Sequence, residues 1–194
     1  VSVTLEHCWD DWCLAQMAKS LNRNDDYDYF MKRSENYRNL YDERIGFMAP
    51  KTADGNWVFD EKGLDPVWSG GQGGRDYYAE TNAWTYTFHV QHDIPGLTDL
   101  MGGKENLSAK LDALFREQFG GRGSKFEFLK QFPDMTGLIG QYHQGNQPGY
   151  HIPYLYNYSG EPWKTQKIIR DIMKIWYDDT PLGICGDEDE GETS

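Results

Sequence analysis

Pro162-Trp163-Lys164-Thr165-Gln166-Lys167-Ile168-Ile169-Arg170-Asp171-Ile172-Met173-Lys174-Ile175-Trp176-Tyr177 is the stretch that decides the fold class. Its apolar residues, Ile168, Ile169, Ile172, Met173, Ile175 and Trp176, recur at mostly three- and four-residue spacing, the period of an amphipathic helix. Pro162 suits a first helical turn, where its missing N–H costs nothing. Moving upstream, Lys104 to Phe119 repeats the pattern with Leu107, Leu111, Leu114, Phe115 and Phe119, opened by Gly102-Gly103. A short helix is expected from Pro95 to Met101. Thr81 to about Val90 reads as an aromatic helix carrying Trp84 and Phe88. Asp26 to Tyr41 carries Tyr27, Phe30, Met31, Tyr37, Leu40 and Tyr41, with Asn24 or Asp25 as cap. Trp9 to Leu21 places Trp9, Cys13, Met17 and Leu21 on one face. Strand alternation is scarce, and no GxGxxG or Walker loop is present. The chain reads as all-α.

The connections are long. Arg44 to Asp76 is rich in Gly, Asp, Trp and Pro, and Gly120 to Tyr150 holds only short apolar pieces. Long loops in a compact domain are functional or disordered. These carry Trp57, Phe59, Trp68, Phe132 and Tyr142, which favours ordered loops over a site. Helices alternating with long loops fit an α/α toroid whose loops gather at one end. No repeat of solenoid period is present.

Composition narrows the function. The 19 Lys+Arg against 31 Asp+Glu give a net charge of −12, which excludes the basic surface that nucleic acid or anionic lipid requires. No apolar run approaches the roughly 20 residues that span a bilayer, so no membrane insertion is expected. Aromatics make up 15%, with seven Trp and thirteen Tyr, more than disordered chains carry. Aromatic rings beside carboxylates and amides suit a sugar site, although most such rings fill cores. Cys8, Cys13 and Cys185 form neither a disulfide framework nor a zinc motif. Residue 1 is Val, no secretory leader follows it, and both ends read as cut from something longer.

Four clusters could carry chemistry. In Asp76-Tyr77-Tyr78-Ala79-Glu80-Thr81-Asn82-Ala83-Trp84, Glu80 opens an aromatic helix. Walled by Trp and Tyr it would be desolvated, which raises a carboxyl pKa toward that of a general acid. The plainer reading is a helix-start Glu facing the dipole. His92-Asp93 is either a polar clamp on hydroxyls or, through Asp93, a helix N-cap. Gly140 to His151 crowds amides, imidazoles and Gly into a loop that suits a hard cation or a polyol, or is a polar surface turn. Cys185-Gly186-Asp187-Glu188-Asp189-Glu190-Gly191-Glu192 alternates Asp187 and Asp189, so both point one way in an extended loop. It reads as a shaped acidic turn or a solvated tail.

Together these clusters resemble the calcium-dependent exo-α-mannosidases of glycoside hydrolase family 92. The resemblance runs through Ser2-Val3-Thr4-Leu5-Glu6, Asp10 to Gln16, Phe30 to Ser34, Gly46 to Pro50, Glu80-Thr81-Asn82-Ala83-Trp84, His92-Asp93, Leu97 to Gly103, Gly137 to Tyr142, Gly145-Asn146-Gln147-Pro148, Tyr154-Leu155-Tyr156, Pro162 to Thr165 and Cys185 to Asp189. It implies that residues 1–194 are an interior piece of a catalytic (α/α)6 barrel, a partial toroid with long active-site loops. The family's N-terminal β-sandwich and the remaining barrel helices are absent from it.

The resemblance further implies hydrolysis of terminal α-linked mannose with inversion. Glu80 matches the general acid, and Asp187 and Asp189 match the pair that supplies the base, with Asp189 favoured. Asn82, Trp84, His92, Asp93 and His151 are the candidate substrate contacts. Asn146 and Gln147 are the candidate Ca2+ ligands, and a mannose-containing glycan is the expected partner. Many members carry His-Gly-Asn-Glu-Pro where this chain has Gln144-Gly145-Asn146-Gln147-Pro148; a neutral Gln147 still offers calcium an oxygen but removes a charge. By family analogy the protein is secreted, periplasmic or at the cell surface. The competing readings are a non-catalytic carbohydrate-binding module that keeps the aromatic site, and a calcium-binding structural domain resting on the acidic terminus. Retention of Glu80, Asp187 and Asp189 favours the enzyme.

Overall fold

The computed structural model describes residues 1–69, 76–118, 136–181 and 183–186. Among these the chain is helical, with strands limited to two hairpins of two residues each side, β1 (Tyr41–Asp42) with β2 (Phe47–Met48) and β3 (Leu138–Ile139) with β4 (Tyr142–His143). Helices account for the rest of the regular structure: α1 Ser2–Ser20, α2 Asn24–Ser34, α3 Ala83–Tyr86, α4 Ile94–Leu100, α5 Lys104–Leu114, α6 Tyr156–Ser159 and α7 Pro162–Trp176. A 3-10 turn, Glu35–Leu40, extends α2 toward β1.

α1 begins seven residues earlier than its apolar pattern suggests, and the face differs. Leu5, Cys8, Asp11, Ala15 and Ala18 are buried, while Met17 and Leu21 of the expected stripe stand 61% and 63% exposed. Small residues at Ala15 and Ala18 allow α2 to pack along α1, and Arg33 of α2 pairs with buried Asp11 at 3.1 Å. Large apolar residues elsewhere on α1 masked that signal. The helix stops in a Schellman motif: Arg23 N–H bonds Ala18 O at 2.9 Å and Asn22 N–H bonds Lys19 O at 3.1 Å. Asn22 takes the left-handed conformation there, φ 57°. α2 carries no side-chain N-cap bond from Asn24 or Asp25.

The core gathers Leu5, Tyr37, Met48, Tyr78, Trp84, Tyr86, Phe88, Leu97, Leu107, Leu111, Tyr142 and Leu155. The aromatic helix expected from Thr81 to about Val90 shrinks to the four residues of α3. Its β-branched Thr81, Thr85 and Thr87 spend their hydroxyls on tertiary bonds, such as Met48 N–H to Thr87 Oγ1 at 3.1 Å. Such contacts hold the chain in place of a longer helical ladder. α4 and α7 fall within a residue or two of expectation, and α5 ends at Leu114.

A polar knot ties α5 to α6 and α7. Lys164 Nζ lies 2.9 Å from both Asp112 Oδ2 and Glu161 Oε2 and 3.0 Å from Ser108 Oγ. Tyr156 donates to Asp112 at 2.9 Å. The outer side of α7 leaves Trp163, Met173 and Ile175 each 59% exposed.

Candidate active site

Two features of the backbone build the site. The first is the turn at Glu80. Ser2 N–H bonds Tyr77 O at 3.1 Å and Ala79 N–H bonds Ser2 Oγ at 3.2 Å, so the start of α1 anchors the turn. Glu80 then takes φ +60°. A left-handed residue with a Cβ costs roughly 1–2 kcal/mol, and such strain persists where the surroundings over-determine it. Thr81 and Asn82 follow, both fully buried.

The second feature is the hairpin and loop from Leu138 to Asn146. Gly140 turns the hairpin at φ +61°, and a Cβ there would come within 2.4 Å of Leu114 O. Only glycine allows that approach, which lets Gln141 N–H cap Leu114 O at 2.8 Å. The hairpin is thereby docked on the end of α5, with Gln141 and His143 buried behind the Glu80 turn.

Contacts between the two features are dense. Asn82 Nδ2 donates to Gln141 Oε1 at 3.0 Å, and Asn82 Oδ1 caps α3 by accepting Trp84 N–H at 3.1 Å. His143 Nε2 lies 3.0 Å from Thr81 Oγ1 and 3.1 Å from Thr85 Oγ1, and Thr81 donates to Thr85 at 2.9 Å. Asn146 Nδ2 donates to Glu80 Oε2 at 3.2 Å. Burial pushes the His143 imidazole down to about 4, so it is neutral at physiological pH.

The last described segment joins the same place. A Cβ on Gly137 would lie 2.8 Å from Cys185 Sγ, and one on Gly145 would lie 2.8 Å from Gly186 Cα. Residues more than forty positions apart in sequence are thus packed side by side, next to Asn146. Asp187 and Asp189 lie outside the described residues.

Other sequence-predicted residues have different employment. Glu80 is exposed, not walled off by rings. Trp84 turns away into the core, edge-on to Phe47 with centroids 4.9 Å apart. Asn82 is 0% exposed and both ends of its amide are engaged, one capping α3 and the other bonding Gln141. His92 lies between Trp9 and Tyr37 with Nε2 3.0 Å from Ser34 O. Asp93 caps α4 through Gly96 N–H at 2.9 Å and accepts Tyr37 O–H at 2.6 Å and Arg38 at 3.0 Å. Burial alone would raise the Asp93 pKa, but these partners hold it below the usual carboxylate range. His151 bonds Phe88 O at 2.6 Å. In each case the plainer structural reading accounts for the bonds observed.

Several residues in the neighbourhood escaped the sequence reading. Tyr86 donates to Glu6 Oε1 at 2.7 Å. Burial pushes its phenol up first, with Glu6 and then Glu80 adding to the shift. Glu6, Trp9, Asp10, His89, Gln91 and Pro148 line a cleft of about 260 Å³ together with Gln147, one of the two expected Ca2+ ligands. Glu6 and Asp10 are one helical turn apart on α1, a signal that points to a common face but not to what that face meets.

Asn146 fits a hard cation. It is 2% exposed, and among the described residues its buried Oδ1 has no hydrogen-bond partner, so that oxygen has its accepting capacity to offer. Gln147 is half-buried beside it. Among the described residues no group of three or more His, Cys, Asp or Glu could hold a metal, so the amide oxygens would form part of a larger set.

The described residues thus set an exposed carboxylate on a left-handed turn, tied through Asn146 to the loop whose Gln147 lines a cleft with Glu6, Asp10 and Trp9. The chain belongs to the glycosyl hydrolase family 92 catalytic domain family, whose model matches residues 1–194. Among solved structures it is similar to the family GH92 alpha-mannosidase BT3965 from Bacteroides thetaiotaomicron in complex with mannoimidazole. That likeness has 35% identity and a TM-score of 0.81, covering 95% of this chain and 23% of that one. It is also similar to the family GH92 inverting mannosidase BT2199 of the same organism, with 40% identity and a TM-score of 0.75 over 97% of this chain and 25% of that one. A protein of Arthroderma benhamiae described as an uncharacterized secreted glycosidase is 24% identical over 98% of this chain and 24% of its own length. The chain therefore spans about a quarter of the length of these relatives. Its helices and long loops are those of the family's (α/α)6 barrel. Among the described residues no helix is long and apolar enough to cross a membrane.

Proposed function

We propose that residues 1–194 form part of the catalytic barrel of an exo-α-mannosidase that removes terminal α-linked mannose from glycans with inversion. The rest of the barrel and a β-sandwich would come from additional chain. Glu80 is the general acid: its carboxyl proton passes to the glycosidic oxygen as the C1–O bond breaks. Asp189, assisted by Asp187, takes a proton from water as that water attacks C1 from the opposite face. The products are a free hydroxyl on the leaving glycan and mannose of inverted configuration, and inverting acids stand about 6.5–9.5 Å apart.

The observation that carries this reading is the packing of Gly186 on Gly145 while Asn146, the next residue, donates to Glu80. It brings the residue preceding Asp187 and the loop touching Glu80 to one neighbourhood. Exposed Glu80 requires an adjustment of the sequence expectation. A bound sugar and further chain would have to exclude water from it, which favours its protonated form. Asn146 and Gln147 would contribute oxygens to Ca2+, which when bound supplies positive charge to sugar hydroxyls and favours a distorted ring. Asn146 keeps its Nδ2–H on Glu80 and so orients the carboxylate whichever ligand occupies Oδ1. The relative described as secreted supports action outside the cytoplasm.

The test uses the complete polypeptide that carries this segment. It should hydrolyse an aryl α-mannoside, lose activity to a calcium chelator, and release β-mannose as the first anomer seen by NMR. Mannose binding without turnover would favour the non-catalytic carbohydrate-binding reading, and α-mannose as first product would exclude inversion.

A further inference from the structure

We propose that His143 is a positioning residue for Glu80, fixing the carboxylate-bearing turn through the hydroxyls of Thr81 and Thr85. The proposal rests on the reading of Glu80 as the acid. Glu80 occupies a left-handed conformation that its neighbours must enforce. Three ties reach this turn from one short segment: Gln141 to Asn82, His143 to Thr81 and Thr85, and Asn146 to Glu80 itself. Gln141 closes the hairpin turn and His143 follows in β4, so one hairpin supplies both ties. Gly140 fixes the hairpin's place by its close approach to Leu114 O.

His143 is 0% exposed, and among the described residues its buried Nδ1 has no hydrogen-bond partner. Among these residues its hydrogen bonding is directed at the two threonines. Either tautomer closes the triangle: an Nε2–H gives to Thr81 Oγ1, or an Nε2 lone pair accepts from Thr85 O–H. The charge state suits the role. A neutral imidazole holds the turn without setting a charge beside the carboxylate, as an Arg or Lys in its place would do. The contacts reach Thr81, the residue after Glu80, and Thr85 inside α3, so a shift of the ring would move the turn and the start of the helix together.

The test measures kcat and KM in the complete polypeptide on aryl α-mannosides with a poor and a good leaving group. His143→Ala should lower kcat on the poor leaving group by about 10–100-fold, the scale of misplacing a reacting group by an ångström. On the good leaving group the loss should stay within about threefold, and KM should change little for either, since protonation matters less there. His143→Gln, which can still bond a threonine, should recover most of the loss. Thr85→Val keeps the shape and removes one hydroxyl, so it should show the same pattern to a smaller extent if His143→Ala fails to fold. In a Glu80→Gln background, His143→Ala should add no further leaving-group-dependent loss. Equal losses on both substrates, or losses that multiply with Glu80→Gln, would overturn the positioning role. A Glu80→Gln variant that shows no leaving-group dependence would instead remove the acid assignment, and the role of His143 with it.

Discussion

Glu80 and Asp93 are both acids set just before a short helix, and the structure uses them in opposite ways. Both oxygens of Asp93 are committed, Oδ1 to Gly96 N–H and Oδ2 to Tyr37 and Arg38. Glu80 is exposed, holds a strained backbone conformation, and among the described residues takes one hydrogen bond, from Asn146. The knot of Lys164, Asp112, Glu161 and Ser108 resembles Asp93 in having its charges consumed by one another. Clusters of polar residues look alike in sequence. What separates Glu80 from Asp93 is hydrogen-bonding capacity left over after the fold has taken its share.

That contrast can be broken by substitution. The largest effect is expected from Asp189→Asn in the complete polypeptide, which should reduce turnover by at least about 10²–10⁴-fold while mannose binding stays measurable by calorimetry; unchanged turnover would move the base elsewhere. Next is Asn146→Ala, which removes the unpartnered buried oxygen. It should weaken calcium binding by at least about tenfold, read by calorimetry, and an unchanged isotherm would take Asn146 out of the ligand set. Asp93→Ala should leave KM and kcat within about twofold of the parent, but lower stability by about 1–3 kcal/mol through loss of the cap and an unpaired Tyr37 hydroxyl. A large rise in KM with intact stability would return Asp93 to the sugar site.

The smallest effect is a pH dependence of stability. Burial depresses His143 and His151 to about 4, below the ordinary value near 6.5. Between those pH values the unfolded state binds more protons, so stability falls as pH drops from about 6.5 to about 4. His143→Gln should flatten that limb in thermal melts, and an unaltered slope would mean the ring is not buried neutral. Lys110 works in a higher window. Its Nζ sits over Phe47 and Trp84, and burial pushes it down to about 7. Stability should therefore rise with pH above 7, and Lys110→Met should remove that rise.

Much of this was legible in the sequence, and the failures share a cause. Helical period announced α7, α5 and α4 because their apolar residues recur in register. α1 was assigned the wrong face because small residues, Ala15 and Ala18, make its contact, while Met17 and Leu21 face outward. Asn82 and Trp84 single out Glu80 in the sequence, yet the Trp84 ring expected beside it is in the core. Trp84 and Asn82 are sequence neighbours of Glu80 whose contacts hold its turn in place. Gln141 and His143 went unassigned because their partners lie about sixty residues away, and no local spacing encodes a hydrogen bond across the fold. Asp93 carried both readings, and the capping one accounts for its contacts.

The central claim is that Glu80 gives a proton to the departing oxygen. It is tested most directly by measuring kcat/KM of the complete polypeptide and its Glu80→Gln variant across aryl α-mannosides of graded leaving-group pKa. The variant should lose about 10²–10⁴-fold on the most basic leaving groups and little on the most acidic, so that its rate falls steeply with leaving-group pKa while the parent's stays shallow. Parallel lines for the two proteins would contradict the account.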